Sequence, residues 1–89
     1  MIKVVLIEDE NVVLKGMAMV LKREPDVDLA GTAEDGNQGL ELIYREHPDV
    51  VLTDIRMPGL NGLQLLEKLR EKGIAVKVIF ISGYAEFEY

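Results

Sequence analysis

The chain has 89 residues, of which 48% are apolar, so it is long enough for one small domain with its own core. It contains no cysteine, which excludes disulfides and thiolate sites, and its single histidine, His47, cannot form a zinc site alone. The net charge is −6 and the Lys and Arg residues are scattered, which argues against direct binding of nucleic acid. The apolar run at residues 4–7 is too short for a signal peptide or a membrane span, so we expect a cytoplasmic protein.

Short apolar runs alternate with amphipathic stretches along the chain, which predicts strands alternating with helices. The predicted strands cover residues 3–7, 28–33, 49–55 and 76–81, and the predicted helices cover 11–24, 35–47 and 61–72. Pro25 and Gly73 are stop signals for the first and third helices, Asn61 is a candidate N-cap, and residues 85–89 are predicted to begin a further helix. This order predicts parallel strands with right-handed crossovers, in an open, doubly wound α/β sheet.

The first predicted helix has apolar residues at a helical spacing. Val13, Met17, Val20 and Leu21 carry this pattern, and we interpret Met17 and Met19 as residues that fill the core.

Acidic and hydroxyl side chains follow three of the predicted strands. Glu8 and Asp9 follow the first strand, Asp54 lies at the end of the third, and Ser82 follows the fourth. Sites in doubly wound sheets form at the carboxyl ends of strands, so the three carboxylates are expected to meet if the first and third strands are neighbours. Their repulsion would be relieved by a hard divalent cation such as Mg²⁺. A carboxylate beside Mg²⁺ can attack a phosphoryl group, and the Ser82 hydroxyl can donate a hydrogen bond to the product.

Each of these residues also has a plainer interpretation. Acids that follow strands commonly cap helices or form turns, and Ser82-Gly83 is a common turn dipeptide. The functional hypothesis therefore rests on three strand ends with suitable residues meeting at one edge of the sheet.

Three segments of the chain resemble bacterial response-regulator receiver domains. They are residues 3–10, residues 49–62 with the motif Asp-x-x-Met-Pro-Gly from Asp54, and residues 78–84. The resemblance covers the whole chain and implies a flavodoxin-like receiver fold with strand order 2-1-3-4. It also implies that residues 1–89 are an incomplete receiver, which ends at the start of the fourth helix and lacks the fifth βα unit.

The resemblance assigns roles position by position. Asp54 falls on the aspartate that accepts a phosphoryl group from a sensor histidine kinase, and Asp9 falls on a direct Mg²⁺ ligand. Glu8 acts through waters of the metal, Arg56 contributes its backbone carbonyl to the metal, and Ser82 is the switch hydroxyl. Such a domain is not an enzyme in the ordinary sense, because it promotes only its own Mg²⁺-dependent phosphorylation and dephosphorylation.

The last seven residues, 83–89, are similar to receivers that are joined to AraC-type helix-turn-helix output domains. This resemblance implies a parent protein that regulates transcription, while the receiver itself does not contact DNA.

The sequence also departs from the family. The family uses a lysine that pairs with the phosphoryl group and an aromatic residue that couples to the switch, and neither Lys72 nor Lys77 is placed for the lysine role. We therefore expect impaired phosphorylation, and self-association through an exposed fourth-strand edge or swapped elements.

The alternative function is a truncated, phosphorylation-impaired fragment that acts as a structural or self-association module. A flavin- or dinucleotide-binding domain is disfavoured because the first turn is acidic and has no Gly-x-Gly-x-x-Gly.

Overall fold

The computed structural model describes residues 1–81, in which three helices flank a four-stranded parallel sheet. In chain order the elements are β1 (Ile2–Ile7), α1 (Asn11–Arg23), β2 (Val27–Ala33), α2 (Gly36–Glu46), β3 (Val50–Asp54), α3 (Gly62–Glu71) and β4 (Lys77–Ile81). The predicted alternation of strands and helices is confirmed. The further helix predicted from residue 85 lies outside the described residues.

The order of the strands in the sheet is β2-β1-β3-β4, as the resemblance implied. β1 pairs with β2 on one side and with β3 on the other, and the partners Ile7 and Thr53 align the carboxyl ends of β1 and β3. Asp54 pairs with Ile81 at the end of β4. The connection after β1 runs to β2 on one side of β1, and the connection after β2 returns to β3 on the other side, so the crevice for a ligand lies at the carboxyl ends of β1 and β3.

Two helices begin at side-chain caps. Asp35 accepts a hydrogen bond from the Gln38 backbone N–H at 2.8 Å, and Asn61 and Gln64 form a reciprocal capping box with two bonds of 2.9 Å. Gly73 follows α3 with a φ of +73°, a conformation that glycine adopts without steric cost. The predicted cap at Asn61 and stop at Gly73 are therefore confirmed.

The main core lies between one face of the sheet and helices α2 and α3. Its buried members are Val5, Ile7, Ala33, Leu40, Leu42, Ile43, Val51, Met57, Leu65, Leu69 and Val76. Side chains alternate along a strand, so Val4 and Leu6 point to the opposite face, on the side of the sheet where α1 packs against β1 and β2.

Helix α1 presents a different face to the sheet from the one that its apolar pattern suggested. Leu14 is the buried residue of this helix, whereas Val13, Val20 and Met19 are 40%, 60% and 57% exposed. The prediction that Met19 fills the core is therefore wrong, and Met17 is only half-buried. The inward positions are 14, 17, 18 and 21, which follow the i, i+3, i+4, i+7 spacing, and residues 13, 19 and 20 lie to either side of that stripe.

No helix within residues 1–81 is both long enough and apolar enough to cross a membrane.

The packing of α1 predicts unequal effects of two truncations. Leu14→Ala should lower the free energy of unfolding by about 2–4 kcal/mol, because it removes buried methyl groups and leaves a cavity. Val20→Ala should change it by less than about 0.5 kcal/mol, because the side chain is largely in solvent. Urea unfolding followed by circular dichroism measures both, and equal losses would contradict the observed orientation of the helix.

Candidate metal centre

The fold brings the three predicted carboxylates together. β1 and β3 are neighbours, so Glu8 and Asp9, which follow β1, lie beside Asp54 at the end of β3. One carboxylate oxygen from each residue lies within 4.8 Å of the other two. This separation places the three oxygens close enough to bind one cation, and hard divalent cations prefer oxygen ligands.

Burial decreases across the cluster from Glu8 to Asp9. Glu8 is only 4% exposed, Asp54 is half-buried, and Asp9 is exposed. The backbone N–H of Glu8 donates to the Ala33 carbonyl at 3.0 Å, which continues the pairing of β1 with β2 past the last strand residue. The cluster is therefore held by the sheet on its inner side and is open to solvent at Asp9.

The buried position of Glu8 changes its acidity. Burial raises the pKa of the Glu8 carboxyl above its usual range, because a charged carboxylate is less stable away from water. The Glu10 backbone N–H donates to Glu8 Oε1 at 3.2 Å and opposes this rise in the pKa. The charge of Asp54, together with a hydrogen bond and the charge of Asp9, raises the pKa further. A bound divalent cation would favour the ionised form instead.

Asp54 has one carboxylate oxygen that is suited to a cation. Its Oδ1 atom is buried and has no hydrogen-bond partner among the atoms of residues 1–81. A buried oxygen without a partner is costly, and a bound ion or water can supply the missing partner. The donor set of three carboxylates and this unpartnered oxygen both fit Mg²⁺.

Of the two remaining predicted site residues, Arg56 and Ser82, the structure describes Arg56. Arg56 lies in the loop after β3, two residues beyond Asp54, and its side chain is exposed. Ser82 follows Ile81, the strand partner of Asp54, but it lies outside the described residues.

Neither of the two lysines that were considered for the phosphoryl group lies near Asp54. Lys77 pairs with Val50, four residues along the strand from the Asp54 pair, which is about 13 Å at the rise of a β-strand. Lys72 is the C-cap of α3, and its Nζ lies 5.5 Å from the centre of the Tyr44 ring.

Two residues near Asp54 were not identified from the sequence. The buried Thr53 hydroxyl donates to the Asp54 carbonyl oxygen at 3.0 Å, and the Gly62 backbone N–H donates to the Ile55 carbonyl oxygen at 2.9 Å. Both residues belong to the segment that carries the family resemblance, residues 49–62, but the sequence assigned no role to either of them.

The raised pKa of Glu8 predicts how stability depends on pH. A carboxyl with a raised folded-state pKa stabilises the fold below its unfolded pKa, near 4.5, and loses that contribution as the pH rises through the folded value. Glu8→Gln should therefore make the metal-free protein more stable at pH 7 and flatten this decline. The free energy of unfolding, measured by urea titration from pH 4 to pH 8, tests the expectation.

The same unfolding measurement with added Mg²⁺ tests whether Glu8 contributes to cation binding. At ten times its dissociation constant, Mg²⁺ should stabilise the wild-type protein by about 1.4 kcal/mol, and Glu8→Gln should lose part of that gain. Glu10→Gln, which changes an exposed glutamate nearby, is the matched control and should behave as wild type. A destabilised Glu8→Gln protein at pH 7 without metal would contradict the assignment.

Comparisons with known proteins show the family of this chain. The family model for the response regulator receiver domain matches residues 4–89. A 40-residue segment is 42% identical to the transcriptional regulatory protein LiaR of Bacillus subtilis (strain 168), and it covers 45% of this chain and 19% of LiaR. The chain thus spans only about a fifth of that relative.

Solved structures of receiver domains superpose closely on this chain. The signal receiver domain of the putative response regulator NarL from Mycobacterium tuberculosis is 35% identical, with a TM-score of 0.90 over 97% of this chain and 69% of that chain. A DNA-binding response regulator of the LuxR family from Staphylococcus aureus is 29% identical, with a TM-score of 0.89 over 98% of this chain and 72% of that chain. With the family model matching almost the whole chain, the chain belongs to the response regulator receiver domain family.

Proposed function

We propose that this receiver domain accepts a phosphoryl group from a sensor histidine kinase onto Asp54, in a Mg²⁺-dependent reaction in the cytoplasm. The observation that carries the proposal is the half-buried Asp54 carboxylate, whose Oδ1 atom lacks a protein partner and which lies beside Glu8 and Asp9. Family membership supports a role in two-component signalling.

Each residue of the cluster has a defined part in the proposal. Asp9, Asp54 and the Arg56 backbone carbonyl would hold the cation, and Glu8 would act through a bound water. Mg²⁺ supplies positive charge that neutralises the oxygens of the transferring phosphoryl group. The buried Glu8 carboxylate, when ionised, would add a further negative charge near the cation and thereby favour its binding.

The transfer is a displacement at phosphorus. A bond forms between an Asp54 carboxylate oxygen and phosphorus while the bond from phosphorus to the kinase imidazole nitrogen breaks, and the nitrogen keeps the electron pair. The product is an acyl phosphate, and its hydrolysis returns Asp54 to the carboxylate. The domain thus acts as a phosphoacceptor that promotes its own reaction and does not turn over a separate substrate.

The output of the switch is also part of the proposal. Ser82, directly after the strand partner of Asp54, is the hydroxyl that binds the phosphoryl group and changes the surface of the domain. LiaR is a transcriptional regulatory protein and the Staphylococcus aureus relative is a DNA-binding response regulator, which supports an output on transcription. An AraC-type output domain stays a prediction that the sequence of the parent protein would test.

Intact mass after incubation with a small phosphodonor tests the phosphoacceptor assignment. We expect a slow, Mg²⁺-dependent gain of one phosphoryl group, slow because neither Lys72 nor Lys77 lies near Asp54. Asp54→Asn should abolish the gain, whereas Asp28→Asn, which changes an exposed aspartate on β2, should keep it. A gain that persists in Asp54→Asn would show that another residue is the acceptor.

A second candidate function, self-association, is favoured by an exposed apolar surface at β4. Leu6 on β1 pairs with Leu52 on β3, which pairs with Ile79 on β4, and all three point to one face of the sheet. Exposure rises along this row from 0% at Leu6, through half-buried Leu52, to 44% at Ile79. The reason is that α1 packs over β1 and β2 on this face, so β3 and β4 have no covering helix on this face within residues 1–81.

We propose that a second copy of the 89-residue chain covers this surface. Within the described residues, β4 pairs only with β3, so its other edge has backbone groups available for pairing. Two identical edges can pair about a two-fold axis, which buries the same apolar residues from both copies. The apolar composition of residues 78–81 adds to this tendency.

Light scattering across a range of protein concentrations tests self-association. The wild-type chain should form dimers as its concentration rises. Ile79→Lys should lower the association constant at least about tenfold, because dimer formation would bury the charge of the introduced lysine. Val12→Lys introduces the same charge at an exposed apolar residue of α1 and should leave association unchanged. A wild-type chain that stays monomeric at millimolar concentration would exclude this function.

A further inference from the structure

Two helices approach the backbone of the β3–α3 loop more closely than any residue with a Cβ atom would allow. The loop covers residues 55–61, and it connects Asp54 with the start of α3. Gly62 is the first residue of α3 and Gly36 is the first residue of α2, and both are buried. Each of the two glycines faces backbone atoms at one end of the loop.

Gly62 lies against the strand end that carries Asp54. A Cβ atom at Gly62 would overlap the carbonyl oxygen of Asp54 and would lie 3.0 Å from the Ile55 Cα atom. The Gly62 N–H donates to the Ile55 carbonyl oxygen at 2.9 Å, and the Thr53 hydroxyl donates to the same Asp54 carbonyl at 3.0 Å. The backbone from Asp54 to Ile55 is thus fixed by α3 on one side and by Thr53 on the other.

Gly36 lies against the other end of the loop. A Cβ atom at this position would overlap the carbonyl oxygen of Leu60 and would lie 2.9 Å from the Leu60 Cβ atom. Neither Gly36 nor Gly62 has the positive φ that favours glycine. Glycine is therefore required at both positions by the lack of room for a side chain and not by the backbone conformation. Because the overlapping atoms are backbone atoms, no side-chain rotation can make room for a methyl group.

We propose that Gly36 and Gly62 are positioning residues for the metal centre. By letting α2 and α3 pack directly on the two ends of the loop, they set the position of Asp54 and of the Arg56 carbonyl, which follows the anchored Ile55. The inference rests on the proposed Mg²⁺ site and adds two residues that do not themselves contact the cation. Residues that orient ligands in this way commonly change metal affinity by 10- to 100-fold when they are altered.

The two glycines should differ in their influence on the cation. Gly62 contacts the backbone carbonyl of Asp54, so a methyl group there displaces the residue that carries a ligand. Gly36 acts through Leu60, six residues along the loop from Asp54, and most of the loop lies between that contact and the ligands. We therefore expect Gly62→Ala to weaken Mg²⁺ binding at least about tenfold, and Gly36→Ala to weaken it by less.

Amide chemical shifts of ¹⁵N-labelled protein, recorded before and during a Mg²⁺ titration, test the proposal. Gly16→Ala is the matched control, because Gly16 lies in α1 and a Cβ atom there would meet no atom within 4 Å. In the metal-free spectra, Gly62→Ala should shift the amides of residues 54–57, Gly36→Ala those of residues 59–61, and Gly16→Ala neither group. Signals of the folded state report Mg²⁺ affinity directly, so a loss of stability alone does not change the measured dissociation constant.

The outcomes separate this inference from the proposed function. Wild-type protein that binds no Mg²⁺ would refute the metal site, while the metal-free shifts would still decide whether the glycines position the loop. Unchanged loop shifts and an unchanged dissociation constant in Gly62→Ala would overturn the inference. If Gly62→Ala fails to fold, Gly36→Ala decides by the same two readouts, and wild-type values for both would again overturn it.

Discussion

The arrangement of this domain depends on one constraint: three carboxylates lie close together at the end of the central strands, and one of them, Glu8, is almost completely buried. Their mutual repulsion and the loss of hydration oppose folding in the absence of a cation, as the raised pKa of Glu8 indicates. The surrounding sheet, the Thr53 hydroxyl and the two helix-start glycines hold the groups in place against this cost. A divalent cation would convert the same arrangement from a source of instability into a binding site.

Much of the fold could be predicted from the sequence because the local signals are strong. Apolar strands, the N-cap at Asn61 and the stop at Gly73 predict the element order and most boundaries within two residues. The order of the strands came from the family resemblance, since apolar patterns do not reveal which strands are neighbours. The meeting of Glu8, Asp9 and Asp54 followed from that order, because parallel strands bring their carboxyl ends to one edge.

The remaining features depend on packing that a single sequence does not encode locally. Val13 and Val20 have helical spacing, yet Leu14 is the residue that α1 buries, because two overlapping apolar stripes fit the pattern and the sheet selects one. The contacts of Gly36 and Gly62 join residues far apart in the chain, and neither glycine has the positive φ that marks a turn. The burial of Glu8 likewise depends on neighbours from other strands, whereas the sequence shows only an acid after an apolar run.

Paramagnetic broadening by Mn²⁺, which takes the same oxygen ligands as Mg²⁺, tests the central claim most directly. The measurement follows amide signals of ¹⁵N-labelled protein as trace Mn²⁺ is added and then displaced by excess Mg²⁺. The account predicts saturable broadening of residues 8–10 and 54–57, reversed by Mg²⁺, while the exposed acids at Glu24, Asp26 and Asp28 stay sharp. Broadening that is equal at those exposed acids, or that Mg²⁺ does not reverse, would contradict a specific metal centre formed by Glu8, Asp9 and Asp54.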